Sequence, residues 1–430
     1  ARAELLYLGG IGTYVKARGE SNADAGDKAN DAIRVNGSEL RVKVVGEGAN
    51  LGLTQAGRIE FARSGGRLNT DAIDNSAGVD SSDHEVNIKI LTGMVERAGK
   101  ITSREDRNVL LASMTDEVAE HVLAHNYDQT LAISLLEQDA PGELENHARF
   151  MVELENEGRL NRRVEGLPDP AQIAELAAGG AGLTRPELAV LMAYGKLDLF
   201  DEIVASAAPD DAAFEQILEA YFPTALGRYD DEMKKHRLRR EIIATVIDNE
   251  LVNICGPTFP SRLRAAAGCD TGALITGFEA ARRILRFGET WDAVAALDGK
   301  APAEGQLALF RALAHTLRSQ TYWMARRAGS GGVDALTARY GAGMAELRAL
   351  TPGILSTFEQ KNVARRAAIF VKDGAPEVLA QQIAAMQPLT TATELVDLAS
   401  GLGWPVASAA RVYHQVGAAF SFDRLRAAAG

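Results

Sequence analysis

Short apolar runs alternate with polar, glycine-bearing breaks in the first quarter of the chain, and longer apolar periodicities of helical spacing fill the rest. Glu4 to Leu8 reads as a short strand, with Gly9, Gly10 and Gly12 making the turn after it, and Leu40 to Val45 reads as a buried strand. Between them Asn30 to Val35 looks helical. Asn36-Gly37 then suits a left-handed helix cap or a two-residue hairpin turn. The cap is preferred, because the apolar run Val42, Val44, Val45 has no matching alternation before Asn36. Gly57 to Ala62 begins another helical stretch, Asn69 to Asp74 reads as a strand or extended segment, and Asp83 starts a long helix. Strands alternating with helices predict an α/β region over residues 1–98.

After Gly99 the strand signals fade, which predicts a long all-α region over residues 99–430. Thr184-Arg185-Pro186-Glu187 has the form of a capping box with proline in the first turn. Leu188, Leu191, Met192, Gly195 and Leu199 then fall on one helical face. Breaks are expected at Gly179–Gly182, Ala208–Asp211, Gly329–Gly332 and Pro352-Gly353. No fixed-period repeat is present, so a solenoid is not supported. Met192, Met324 and Met344, with Trp291, Trp323 and Trp404, read as core or helix-interface residues.

A chain of 430 residues exceeds one ordinary core, so two or more domains are expected. Lys+Arg 46 against Asp+Glu 58 gives a net charge of -12, a field that repels polyanions, so no nucleic-acid partner is expected. The basic run Lys234 to Arg240 is a local exception, and it leads into a helical pattern through Ile242, Val246 and Leu251, where a solvated face or an ion-pair network is the preferred reading. Cys255 and Cys269 lack metal-ligand spacing, which points to a reducing compartment without structural zinc. With no apolar stretch of membrane-spanning length, no membrane association is expected and the cytoplasm is the expected location. The chain opens at Ala1 and runs directly into an apolar strand, as a piece cut from a longer polypeptide would.

The chemistry concentrates in Gly46-Glu47-Gly48-Ala49-Asn50-Leu51-Gly52-Leu53-Thr54 and in Asn75-Ser76-Ala77-Gly78-Val79 followed by Ser82. Glycines and short amides after a strand allow backbone to approach a nucleotide closely, although the same residues also make ordinary turns. The second segment sets an amide and hydroxyls ahead of a helix whose first N–H groups can bind an anion. His84-Glu85 invites acid–base chemistry, but Glu85 can simply complement a helix dipole, and that reading is preferred. His121 and His125 have the i, i+4 spacing of a metal pair. No third ligand stands out along the sequence, so two histidines on a partly exposed helical face are preferred and no metal site is expected. A GxGxxG fingerprint with its downstream acid is absent.

These two segments, with GGIGTYVKA, LTRPELAVLMAYGKL and HRLRREIIATVIDNELVN, resemble glutamate dehydrogenases, most closely the large bacterial NAD-specific type; the likeness spans the whole chain, more loosely after about Gly256. The resemblance implies that residues 1–98 are the C-terminal part of a Rossmann-like NAD domain, and that NAD oxidatively deaminates L-glutamate to 2-oxoglutarate and ammonia in a homo-oligomer. It assigns Asn50 to the nicotinamide-side ribose, Asn75 to a place beside nicotinamide and substrate, and Ser82 to the substrate side-chain carboxylate. Gly48 and Gly78 follow as close-approach positions and Val79 as a wall. The catalytic lysine and aspartate of that family, and its pyrophosphate fingerprint, are expected upstream of residue 1. Two departures stand out: the turn reads NSAGV, and Asp80 and Asp83 place acids near an acidic substrate. The rival readings are another amino-acid dehydrogenase, for which an aliphatic wall in place of Ser82 is expected, and a non-catalytic helical assembly or regulatory protein with an idle nucleotide half-site.

Overall fold

Four short strands, Leu5–Leu8 (β1), Val15–Lys16 (β2), Val35–Asn36 (β3) and Val44–Glu47 (β4), form two parallel pairs in the computed structural model, which describes residues 3–329 and 331–429. β1 pairs with β4 in the register Leu5↔Val44 to Leu8↔Glu47, and β2 pairs with β3. Helices make up most of the remaining described chain, so the α/β character is confined to a small N-terminal portion.

The connection from β1 to β4 corrects three expectations. Asn30 to Val35 is not a helix: a single 3₁₀ turn, Lys28–Asn30, gives way to a turn that enters β3. Side chains compete here with helical hydrogen bonding. The Arg34 guanidinium donates to Thr13 O at 2.8 Å, and the Asp27 carboxylate accepts the Thr13 N–H at 2.8 Å. Asn36 is no C-cap. Its N–H donates to Glu39 at 2.8 Å and its side chain accepts from Lys16 at 2.7 Å. Gly37 is fixed instead by close packing, because a Cβ there would lie 2.5 Å from Gly57 O. The strand expected over 40–45 is reduced to β4, in which Val45 is buried and Val44 faces out.

Two further corrections concern the second polar segment. Asn69 to Asp74 is not extended: Thr70 precedes a helical turn, Asp71–Asp74 (α2). The long helix begins seven residues before Asp83, as Ser76–Arg97 (α3). Ser76-Ala77-Gly78 contains no true breaker, since one glycine costs a helix only about 1 kcal/mol. Gln55–Arg63 (α1) lies between the two segments, capped by Thr54, which accepts the Gly57 N–H at 3.0 Å.

Contacts divide the chain into two units, Ala1–Ala205 with Phe214–Phe259, and Ser206–Ala213 with Pro260–Gly430. In the first unit Arg104–Ala112 (α4) leads to Thr115–Asn156 (α5), followed by Arg162–Glu165 (α6), Pro170–Ala178 (α7), Arg185–Ala205 (α8), Glu215–Tyr221 (α9), Asp230–Met233 (α10) and Arg239–Cys255 (α11). α5 runs straight through Pro141-Gly142. Burial overrides that local signal: Ala140, Leu144, Phe150, Met151 and Leu154 share a core with Leu188 and Leu191 of α8. At the start of α8, Glu187 accepts the Thr184 N–H at 2.7 Å as a capping box requires, while the Thr184 hydroxyl donates to the same carboxylate at 2.6 Å.

The second unit is helical among its described residues: Phe259–Ala267 (α12), Thr271–Leu285 (α13), Phe287–Ala295 (α14), Ala303–Ala325 (α15), Gly332–Ile354 (α16), Thr357–Lys372 (α17), Glu377–Ala384 (α18), Ala392–Leu402 (α19), Val406–Ala419 (α20) and Phe422–Ala429 (α21). The expected break at Pro352-Gly353 falls inside the last turn of α16. Gly277 lets α13 and α15 touch, since a Cβ would lie 2.5 Å from Ala325 N. The Asp397 carboxylate of α19 ties that helix to α16 and to the turn after α15, accepting from Arg327 of the turn at 2.5 Å and from Arg339 and Tyr340 of α16, both at 2.7 Å. Met192, Met324 and Met344 are buried and Trp291 and Trp323 half-buried, but Trp404 is 46% exposed, so it is not a core residue. No described helix is long and apolar enough to cross a membrane.

Candidate functional site

At the end of β4 the Glu47 side chain is fully buried and takes both arms of the Arg58 guanidinium, at 2.7 and 2.8 Å. Burial pushes the Glu47 carboxyl up, and the Arg58 pair opposes that in part. Arg58 also reaches Asp71 at 3.0 Å. The two acids of α2 then grip the loop: Asp74 accepts the Glu47 N–H at 2.9 Å and Asp71 accepts the Leu51 N–H at 2.7 Å. Glu47 of the glycine-rich segment is therefore an anchor, and its charge is not free to meet a ligand.

The loop so held brings the two predicted amides together. Asn75 Nδ2 donates to Asn50 Oδ1 at 2.9 Å, across 25 residues of sequence. Asn50 is exposed and Asn75 half-buried. The left-handed residue of the loop is not Asn50 but Leu51, at φ 60°, with its side chain 63% exposed. Gly78 lies against the pair, where a Cβ would approach Asn75 Oδ1 to 3.3 Å. Gly48 has a different reason to be glycine, because the Tyr7 hydroxyl occupies the space a Cβ would need, at 1.9 Å.

Along α3, Asn75, Gly78, Val79 and Ser82 follow i, i+3, i+4, i+7 spacing and form one stripe. Gly78, Val79 and Ser82 are exposed, and the Ser82 hydroxyl donates back to Gly78 O at 3.3 Å, a bond long enough to give up. The structure thus gathers Asn50, Asn75, Gly78, Val79 and Ser82, whereas Gly48 packs under Tyr7. Asp80 leaves this stripe: its carboxylate is 2.8 Å from His125 Nδ1, and that bond draws it below the ordinary carboxylate range against the opposing effect of burial. Asp83 stays exposed, and burial followed by the charge of Asp80 pushes it up. Glu85 pairs with Lys89 on the helix surface. A groove of about 480 Å³ lined by Ala56, Ile59, Arg63, Pro168 and Gln172 shares none of these residues.

Spacing along the chain could not show one constellation. His84 is 1% exposed, and its ring lies 5.7 Å from that of His121 and 5.8 Å from that of His125. The sequence shows the histidine pair, His84 and Asp80 separately, but not that they meet, because the partners on α3 are about 40 residues away.

A parallel strand pair leading into a clamped polar loop, with two bonded amides and an exposed hydroxyl at the head of a long helix and a helical remainder, marks a helix-rich protein with a small α/β portion. Residues 180–430 match the family model for the glutamate dehydrogenase C-terminal region, and residues 1–136 that for the catalytic domain of bacterial NAD-glutamate dehydrogenase. The chain belongs to this glutamate dehydrogenase family. It is 41% identical over 422 residues to an NAD-specific glutamate dehydrogenase of Pseudomonas aeruginosa, covering 97% of this chain and 26% of that protein. Similar relatives with the same description occur in Halomonas elongata, at 41% identity over 97% of the chain and 26% of the relative, and in Mycobacterium tuberculosis, at 42% over 89% and 24%. The chain thus spans about a quarter of the length of these relatives. The match continues to residue 430, in keeping with a resemblance that spans the whole chain.

Proposed function

We propose that this chain supplies the nicotinamide- and substrate-facing part of an enzyme that oxidatively deaminates L-glutamate with NAD, giving 2-oxoglutarate and ammonia, and that residues 1–98, ending where α3 ends, are the C-terminal part of its Rossmann-like NAD domain. The observation that carries this reading is the Asn50–Asn75 amide pair at 2.9 Å beside the open stripe of Gly78, Val79 and Ser82.

The donor set fits such a cofactor. Amides and a hydroxyl line the face, and Glu47, Asp71, Asp74 and Asp80 are each engaged by other groups, which leaves Asp83, exposed beside Ser82, as the acid there without such an engagement among the described residues. NAD, when bound, accepts the hydride and carries the redox step. The protein's part is position. Asn50 holds the ribose, Asn75 fixes the nicotinamide beside the substrate α-carbon, Val79 walls the substrate, and Ser82 donates to its side-chain carboxylate. Gly78 leaves room for the approach, whereas Gly48 does so only if the Tyr7 ring swings aside. The spacing of Ser82 from Asn75, two turns along one helical face, sets how far the substrate carboxylate lies from the nicotinamide.

The test is to measure NAD affinity, glutamate KM and kcat for Asn50→Ala, Asn75→Ala and Ser82→Ala in the protein as encoded. Loss of one neutral hydrogen bond of roughly 0.5–1.5 kcal/mol should raise the KM for NAD about 2–13-fold in Asn50→Ala with little change in melting temperature. Asn75→Ala should lower kcat as well, through misplacement of the reacting atoms. Wild-type kinetics in both asparagine variants would refute the assignment.

A further inference from the structure

Asp80, His84, His121 and His125 have no part in the nucleotide and substrate roles above. His84 is buried at 1% exposure, yet neither of its ring nitrogens has a hydrogen-bond partner among the described residues. Its ring stacks on Tyr221, with centroids 4.6 Å apart and planes at 15°, which accounts for the burial of the ring but not for its unpaired nitrogens. A buried polar atom without a partner calls for a reason, and an absent ion is one. His84 Nε2 points toward Asp80 Oδ1 at 3.7 Å, too far for a hydrogen bond. The other Asp80 oxygen, Oδ2, is 2.8 Å from His125 Nδ1.

One ligand atom each from Asp80, His84 and His125 lie within 4.8 Å of one another. Donors at tetrahedral zinc distances sit roughly 3.3 Å apart, so the observed separations bracket that arrangement and small side-chain rotations close it. Asp80 and His84 are one turn apart on α3, while His125 comes from α5, so a bound ion would staple the two helices. Two imidazoles and one carboxylate select a borderline transition metal over calcium or magnesium, which prefer all-oxygen sites. The His125 side chain is 45% exposed, which gives an ion a way in and leaves a coordination position for water, with His121 alongside. An Asp80–His125 ion pair alone would explain two of these residues and leave His84 unpaired.

The geometry points to a zinc-class divalent metal site held by Asp80, His84 and His125, on the side of α3 turned away from Ser82. This site does not depend on the nucleotide reading, and its test uses neither NAD nor glutamate. The chelator-treated 430-residue chain is titrated with Zn²⁺ by calorimetry and with Co²⁺ by visible absorption, and its melting temperature is followed with and without Zn²⁺. His125→Asn and Asp80→Asn are compared with the remote control His315→Asn, with far-UV circular dichroism confirming each fold. The expected result is one Zn²⁺ per chain, a Co²⁺ ligand-field band of four- or five-coordinate type, and a Zn²⁺-dependent rise in melting temperature. His125→Asn and Asp80→Asn should each weaken binding by at least about 100-fold and abolish the thermal shift, while His315→Asn leaves both intact. Absence of Zn²⁺ binding by the wild-type chain overturns the proposal. So does wild-type affinity in both ligand variants, or equal loss in the control.

Discussion

Ser82 has the simplest energetics of the gathered residues, because it is exposed and bonded only to a carbonyl one turn back. If it donates to a substrate carboxylate, that charge-assisted bond is worth roughly 1.5–3 kcal/mol, so Ser82→Ala should raise the glutamate KM about 10- to 150-fold and leave NAD affinity and melting temperature unchanged. Equal losses for both ligands would make Ser82 structural. Leu51 is the opposite case, a residue held in a costly conformation. Its left-handed backbone costs a side-chain-bearing residue about 1–2 kcal/mol, which glycine avoids at an entropic penalty of roughly 0.5–1 kcal/mol. Leu51→Gly should therefore leave the protein as stable or raise its stability by up to about 1 kcal/mol, whereas Asn50→Gly, which removes the bond to Asn75, should not. Thermal melts of the two variants distinguish the roles. Asn50, Asn75 and Ser82 were legible in the sequence because each sits in a contiguous polar motif. Leu51 was not, since asparagine is the residue expected in that conformation. The placement of His84 was hidden too, because its significance depends on partners from another helix.

Among the elements, β1, α1 and the face of α8 followed from apolar spacing, and the errors have a common cause. Where the sequence suggested a helix over 30–35 or extended chain over 69–74, buried charge decided the outcome. Arg34, Asp71 and Asp74 each spend their side chains on distant backbone groups, and local propensity gives way. Pro141 shows the same rule with apolar burial in the deciding role. The Glu47–Arg58–Asp71 cluster holds β4, α1 and α2 in register, so removing one partner leaves a buried charge uncompensated. Arg58→Met should cost about 3–5 kcal/mol, seen as a large drop in the denaturation midpoint. A loss below about 1 kcal/mol would show that the cluster is not what fixes the loop. Lys196 and Asp248 are a second buried case: burial pulls the lysine down to about 8 and pushes the aspartate up to about 8. Lys196 Nζ and Asp248 Oδ1 are buried without hydrogen-bond partners among the described residues, and removing one leaves the other buried, so the double variant Lys196→Met with Asp248→Leu should be at least as stable as either single variant.

At the scale of the whole chain, the distribution of aromatic residues provides a reporter for one unit. Trp291, Trp323 and Trp404, all the tryptophans of the sequence, belong to the second unit, so tryptophan fluorescence follows its unfolding while far-UV circular dichroism follows both units. Asp397 in that unit ties α16, α19 and the turn after α15 together, and Arg327, one of its donors, also lies over the Trp323 ring at 5.3 Å. Tyr340 and the two arginines draw Asp397 below its ordinary value of 3.8 against the opposing effect of burial. A carboxylate whose folded-state pKa is depressed adds stability that is fully present above its unfolded value and is lost as pH falls through the folded one. At pH 7, Asp397→Asn should therefore lower the fluorescence-detected unfolding free energy by on the order of 2 kcal/mol, a figure discounted because Arg339 is largely exposed. The gap between wild type and variant should then narrow as the pH is taken below about 4. Arg58→Met lies in the first unit and should shift the circular dichroism transition while leaving the fluorescence midpoint near its wild-type position. A fluorescence gap for Asp397→Asn that persists unchanged through pH 3 would show that its carboxylate charge is not what holds these elements together. Identical shifts of both signals in Arg58→Met would show that the two units unfold as one.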